Sequence, residues 1–110
     1  MSRIPIIAGN WKMNKTVSES VDFVTELAPK VASYNDVERV VAPTFLSLVA
    51  VADALKDSPI AVSAQDAHWA TSGAYTSEVS VDMLTDYVEY VIIGHSECRA
   101  YLNETDESVN

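Results

Sequence analysis

The stretch Ile6-Ile7-Ala8-Gly9-Asn10-Trp11-Lys12-Met13-Asn14 runs an apolar strand directly into an amide, an aromatic anchor and a lone cation. A second junction has the same shape: Val91-Ile92-Ile93-Gly94-His95-Ser96-Glu97 delivers a histidine and a carboxylate from the end of an apolar run. Parallel α/β folds place their chemistry at the C-terminal ends of strands. Two strand ends presenting Asn, Lys, His and Glu therefore suggest an active site rather than packing alone.

Between these junctions the order is strand then helix, repeated. Arg3 to Trp11 reads as a strand, with Ile4, Ile6 and Ile7 supplying β-branched bulk and Pro5 near its beginning, where a missing N–H is harmless. Thr16 or Ser18 caps a helix whose apolar positions Val21, Val24, Leu27, Ala28 and Val31 recur at spacings of three and four. Val37 to Ala42 is a second strand. Thr44 caps a second helix, with Leu48, Val51, Ala52 and Leu55 on its apolar face. Ile60 to Ala64 is a third strand, Ser77 to Asp86 reads as a helix burying Val79, Val81, Met83 and Leu84, and Glu89 to Ile93 is a fourth strand. His95 begins a short helical turn, and Thr105 caps another. This alternation implies parallel βαβ units with both sheet faces covered. Pattern alone fits either four units of a barrel or a small doubly wound domain.

Composition bounds the function. The 110 residues suit one domain, and 48% are hydrophobic, enough for a sizeable core. A formal net charge of −9 disfavours nucleic acid and anionic membrane surfaces, which would repel it. A small phosphate ester is still admissible where a local cation and backbone amides face it. The single cysteine, Cys98, allows no intrachain disulfide and reads as a small, half-buried residue. The N-terminal apolar run is too short for a signal-peptide core or a membrane span, so a cytoplasmic location is expected. His68 has no companion at metal-ligand spacing and reads as a satisfied structural histidine. With three glycines, the chain carries no Gly-rich phosphate loop. No metal and no cofactor are expected.

On position alone, Lys12 is a solvated lysine, Asn10 a turn residue, His95 a hydrogen-bonded structural group and Glu97 a first-turn carboxylate favoured by the helix dipole. Asn10 and Lys12 share one side of their strand, which shifts the balance towards a polar site.

Both junctions, together with Ala64-Gln65-Asp66, the loop Gly73-Ala74-Tyr75-Thr76-Ser77-Glu78-Val79-Ser80 and the tail Glu104-Thr105-Asp106-Glu107, resemble the triosephosphate isomerases over essentially the whole chain. The resemblance decides for the barrel. It implies the N-terminal half of a (β/α)8 barrel, which in full needs ~250 residues. Residues 1–110 are then expected to form one partial barrel domain of four βα units, cut in the helix after the fourth strand. The implied reaction interconverts dihydroxyacetone phosphate and glyceraldehyde 3-phosphate through an enediolate, without a cofactor, in glycolysis and gluconeogenesis.

By the same resemblance, Lys12 faces the substrate phosphate and the developing enediolate, and Asn10 holds a substrate oxygen. His95 polarises the carbonyl and shuttles protons. A neutral histidine acting as electrophile is the arrangement familiar in triosephosphate isomerase itself, and it enters here only as what the resemblance implies. Glu97 supports Lys12. The loop from Ala67 to Glu78, long beside the ~2–6 residues usual between strand and helix, is implied to enter a partner subunit. Thr76, Gln65 and Glu78 are then dimer-interface residues of a homodimer.

Three positions depart from the family: Cys98 for an arginine, and Ser77 and Asn103 for glycines. The first puts an ion-pair network involving Glu78 and Glu104 in doubt. The other two strain their turns if φ is positive there. The catalytic base of the family is a glutamate beyond Asn110, so this stretch alone is expected to be inactive. It is also expected not to behave as a rigid soluble monomer, having open sheet edges. Two alternatives stand beside this reading: a free-standing half-barrel that binds a sugar phosphate without turnover, and a structural module of doubly wound topology.

Overall fold

The computed structural model describes residues 3–110. Four parallel strands form one sheet in chain order, β1 (Ile6–Asn10), β2 (Glu38–Ala42), β3 (Ala61–Ala64) and β4 (Tyr90–Val91). Consecutive neighbours with a helical crossover at each step are the topology of a barrel wall. A doubly wound domain would reverse its strand order at a switch point, and none is present among the described residues.

β1 and β2 pair along their full length, from Ile6 opposite Glu38 to Asn10 opposite Ala42. The strand starts at Ile6 rather than Arg3; Pro5 lies just outside, its carbonyl accepting from the Glu38 amide at 2.8 Å. Helix α1 (Val17–Val31) begins in a reciprocal capping box. The Thr16 hydroxyl accepts from the Glu19 amide while the Glu19 carboxylate accepts from the Thr16 amide. Helix α2 (Phe45–Ala54) follows Thr44, whose side chain makes no capping bond.

The core lies between these two helices and the sheet. Val24, Val41, Leu48, Val51, Leu55, Ile60, Val62 and Leu84 pack in it together with Trp11. Burying such side chains is worth roughly 1.5–3 kcal/mol apiece.

Two further elements are much shorter than the sequence suggests. The helix expected over Ser77–Asp86 is a single turn, α3 (Val81–Leu84), capped by the Ser80 hydroxyl. Ser77 adopts φ 78°, outside the helical region, and the His68 amide donates to the Val79 carbonyl, committing that segment to the end of the sheet. Only Leu84 of α3 is buried; Val81 and Met83 remain exposed, against the expectation that both would bury. The fourth strand pairs only at Tyr90 and Val91, although Glu89 and Ile92 still donate to the Val62 and Ala64 carbonyls. Beyond it stand α4 (Ser96–Tyr101) and α5 (Asp106–Val109), the latter with a Thr105–Ser108 capping box.

β1 and β4 are the terminal strands of the sheet, and apolar side chains stand exposed on and beside them. Ile7 is 64% and Ile93 is 54% exposed. No described helix is long and apolar enough to cross a membrane.

Candidate active site

Past Asn10 the chain must leave β1 and turn, and it does so at a cost. Lys12 adopts φ 53°, a left-handed conformation that a residue with a Cβ disfavours. Local hydrogen bonds hold the turn. The Asn10 Oδ1 accepts from the Lys12 amide at 3.0 Å, and the Asn14 amide group donates to the Trp11 carbonyl at 2.8 Å. Trp11 is buried in the core and meets Phe23 edge-on, so it is the anchor of this turn rather than part of its polar face. Lys15 lies over the Phe23 ring, 4.6 Å from its centroid.

Held this way, the Lys12 side chain reaches the other junction. Its Nζ lies 2.8 Å from Glu97 Oε1. The Lys12 hydrogen bond holds the Glu97 carboxyl below the usual carboxylate range, while desolvation opposes the shift. Both side chains are about half exposed, at 52% and 44%, so the ammonium can still meet an incoming anion.

His95, expected to begin a short helical turn, is the N-cap of α4. Its Nδ1 accepts from the Glu97 backbone amide at 3.0 Å. An accepting Nδ1 carries no proton, so the ring is neutral and its proton sits on Nε2, available as a donor. The Glu97 Oε2 is 3.7 Å from Nδ1, too far for a hydrogen bond that would charge the ring. Gly94, at φ 63°, makes the approach to this cap.

Asn10, Lys12, His95 and Glu97 thus converge from two strand ends. The arrangement offers a cation and a neutral N–H donor. These are the groups that stabilise an oxyanion forming beside a phosphate.

Gln65 belongs with this group more closely than expected. Its amide nitrogen donates to the Lys12 carbonyl at 2.9 Å and to the Ala42 carbonyl at 2.8 Å. Thr76 and Glu78 lie elsewhere, on the excursion between β3 and α3. Thr76 is exposed, and Glu78 Oε2 approaches His68 Nδ1 at 3.8 Å. His68 is packed against Trp69 and Tyr75, with ring centroids at 4.1 and 4.3 Å. The expectation of a satisfied histidine holds only in part, because its buried Nε2 has no partner.

One cluster was only partly read from the sequence, which linked Cys98 to Glu104 but not to Asp66. Asp66, Cys98 and Glu104 bring ligand-type atoms within 4.8 Å of one another. Burial, then the adjacent Asp66 carboxylate, raise the Glu104 carboxyl above its ordinary range, with Arg99 opposing and Glu78 adding. Its Oε1 is buried without a hydrogen bond. Burial and the same acids push the Cys98 thiol up, which leaves it a poor nucleophile. The signal in the sequence was Cys98 itself, standing where an arginine would have neutralised these acids. Ser77 and Asn103, the glycine replacements, do take positive φ, at 78° and 60°.

Comparison with known proteins follows the same lines. The family model for triosephosphate isomerase matches residues 5–110. The triosephosphate isomerase of Geobacter metallireducens is 55% identical over 109 residues, covering 98% of this chain and 43% of its own length. That of Clostridium botulinum strain Loch Maree is 56% identical over 109 residues, covering 98% and 44%. The crystal structure of triosephosphate isomerase from Bartonella henselae superposes with a TM-score of 0.89 at 34% identity, over 96% of this chain and 44% of that one. The chain therefore spans less than half the length of the relatives it matches.

Proposed function

The chain belongs to the triosephosphate isomerase family, and on that premise we propose that the protein carrying it interconverts dihydroxyacetone phosphate and glyceraldehyde 3-phosphate. The segment forms the N-terminal half of the barrel, one partial domain over residues 1–110. It supplies the electrophilic side of the site, while the base that moves the proton between carbons comes from the other half.

The roles are those the family resemblance implies, and the geometry supports them. The Lys12 ammonium faces the phosphate and the oxygen that gains charge as the enediolate forms. His95 donates from Nε2 to the substrate carbonyl; when that proton passes to the enediolate oxygen the ring is left as imidazolate, which recovers a proton from the neighbouring hydroxyl and so returns to neutral. Asn10 spends its Oδ1 on the Lys12 amide and offers its Nδ2 to the substrate. Glu97 fixes the Lys12 ammonium and keeps the site from being a bare cation in solvent. No cofactor enters this chemistry.

The observation that carries the reading is the Lys12–Glu97 contact beside an accepting His95 Nδ1, made between the ends of the first and last strands. Glu97, the carboxylate paired with Lys12, is not assigned as the base. The isolated segment therefore does not turn over substrate. A homodimer, with Thr76, Gln65 and Glu78 near the subunit contact, and a cytoplasmic location complete the proposal.

The test joins residues 1–110 to the C-terminal half of a relative's barrel and assays triose-phosphate interconversion. Activity in the joined protein is expected, with loss on His95→Gln and none in the segment alone. A joined protein that folds and binds no triose phosphate would refute the proposal.

A further inference from the structure

Gln65 stands one residue beyond β3, yet its amide nitrogen is spent at the ends of the two preceding strands, on the Lys12 and Ala42 carbonyls. The Ala42 carbonyl it reaches is also the acceptor for the Trp11 amide, at 3.1 Å. One side chain therefore ties the β1, β2 and β3 ends together at a residue whose backbone is left-handed. Lys12 sits at φ 53°. Its amide is fixed by Asn10 Oδ1, and Gln65 holds its carbonyl. A left-handed lysine persists only where its surroundings over-determine it. With the carbonyl released, φ can relax to negative values, which turns the Cα–Cβ bond and carries Nζ away from Glu97.

We propose that Gln65 is a positioning residue for Lys12, clamping the strained backbone so that the ammonium meets Glu97 and faces the substrate anion. The proposal deepens the isomerase reading and rests on it for the role of Lys12. It differs from a subunit-contact role, in which Gln65 would act without regard to what stands at position 12.

The discriminating experiment is a double-mutant cycle in the joined protein, reading kcat/KM for triose-phosphate interconversion. Gln65→Met keeps the length of the side chain and removes both donations. Alone it is expected to lower kcat/KM by about tenfold or more. Placed on Lys12→Met it is expected to change kcat/KM by less than about twofold, because the group it positions is gone. Equal losses in both backgrounds would overturn the proposal.

A crystal structure of the Gln65→Met protein gives a readout independent of activity. Lys12 at negative φ with Nζ out of reach of Glu97 supports the clamp, and an unchanged turn overturns it. Should the parent protein show no isomerisation, the isomerase reading fails while this structural outcome still decides the role of Gln65.

Discussion

Gly94→Ala tests whether the approach to His95 requires glycine. Gly94 holds φ 63°, and an added Cβ would lie 2.9 Å from Arg99 Nη2 and 3.1 Å from both Val109 methyls. The left-handed backbone costs a residue with a Cβ about 1–2 kcal/mol. Crowding in a packed site adds about 1–3 kcal/mol, less here because the Arg99 tip can move. Arg99 is not entirely free to do so, since its Nε donates to the Gly94 carbonyl at 2.9 Å and its Nη1 binds Asp106.

The sum is about 2–4 kcal/mol, roughly thirtyfold to several-hundredfold in the folding equilibrium. Urea unfolding of the joined protein, compared at constant slope, measures it. Val109→Ala removes the two methyls, so in that background the penalty should fall towards the backbone cost plus the contact with the movable Arg99 tip. A penalty below about 0.5 kcal/mol would refute the strain argument. An unchanged penalty with Val109→Ala would refute the crowding argument.

Three further outcomes are expected. The Glu97 carboxyl is held low by Lys12, so their contact is complete above the ordinary carboxylate pKa and lost as pH falls through the depressed value; a 15N titration of Lys12 Nζ should show that step, and Glu97→Gln should abolish it. Cys98→Arg should give Asp66 and Glu104 a cation closer than Arg99, stabilising the protein at neutral pH by about 1–3 kcal/mol. The raised Glu104 carboxyl favours folding at low pH and loses that contribution as pH rises through its folded value, so the gain should shrink in acid; a thermal-melting series across pH checks both. Ser77→Gly should stabilise by about 0.5–1 kcal/mol, since Ser77 sits at φ 78° in a turn that costs glycine little, and a lowered melting temperature would contradict it.

What the sequence made legible was set by local physics. A cap at Thr16 or Ser18 announced the start of α1, and the β-branched runs before Asn10 and Ala42 announced β1 and β2, because each signal is contained within a few residues. The segment before α3 was misread for the opposite reason. Its apolar spacing is helical, but Ser77 turns left-handed and the His68–Val79 bond docks the chain onto the sheet end. Asn10, Lys12, His95 and Glu97 were named from their place after apolar strands, with resemblance supplying their roles. The Gln65 clamp and the Asp66–Cys98–Glu104 cluster depend on residues far apart in sequence, and no spacing rule reaches them.

The Lys12–Glu97 contact joins residues 85 positions apart. Strand pairings between neighbouring units close shorter loops and can form earlier, whereas this contact waits until the intervening strands are in register. A chain emerging during synthesis therefore exposes Lys12 long before Glu97 exists to receive it. The polar site becomes a late product of folding, and its chemistry appears only in chains whose sheet has already been proofread by packing.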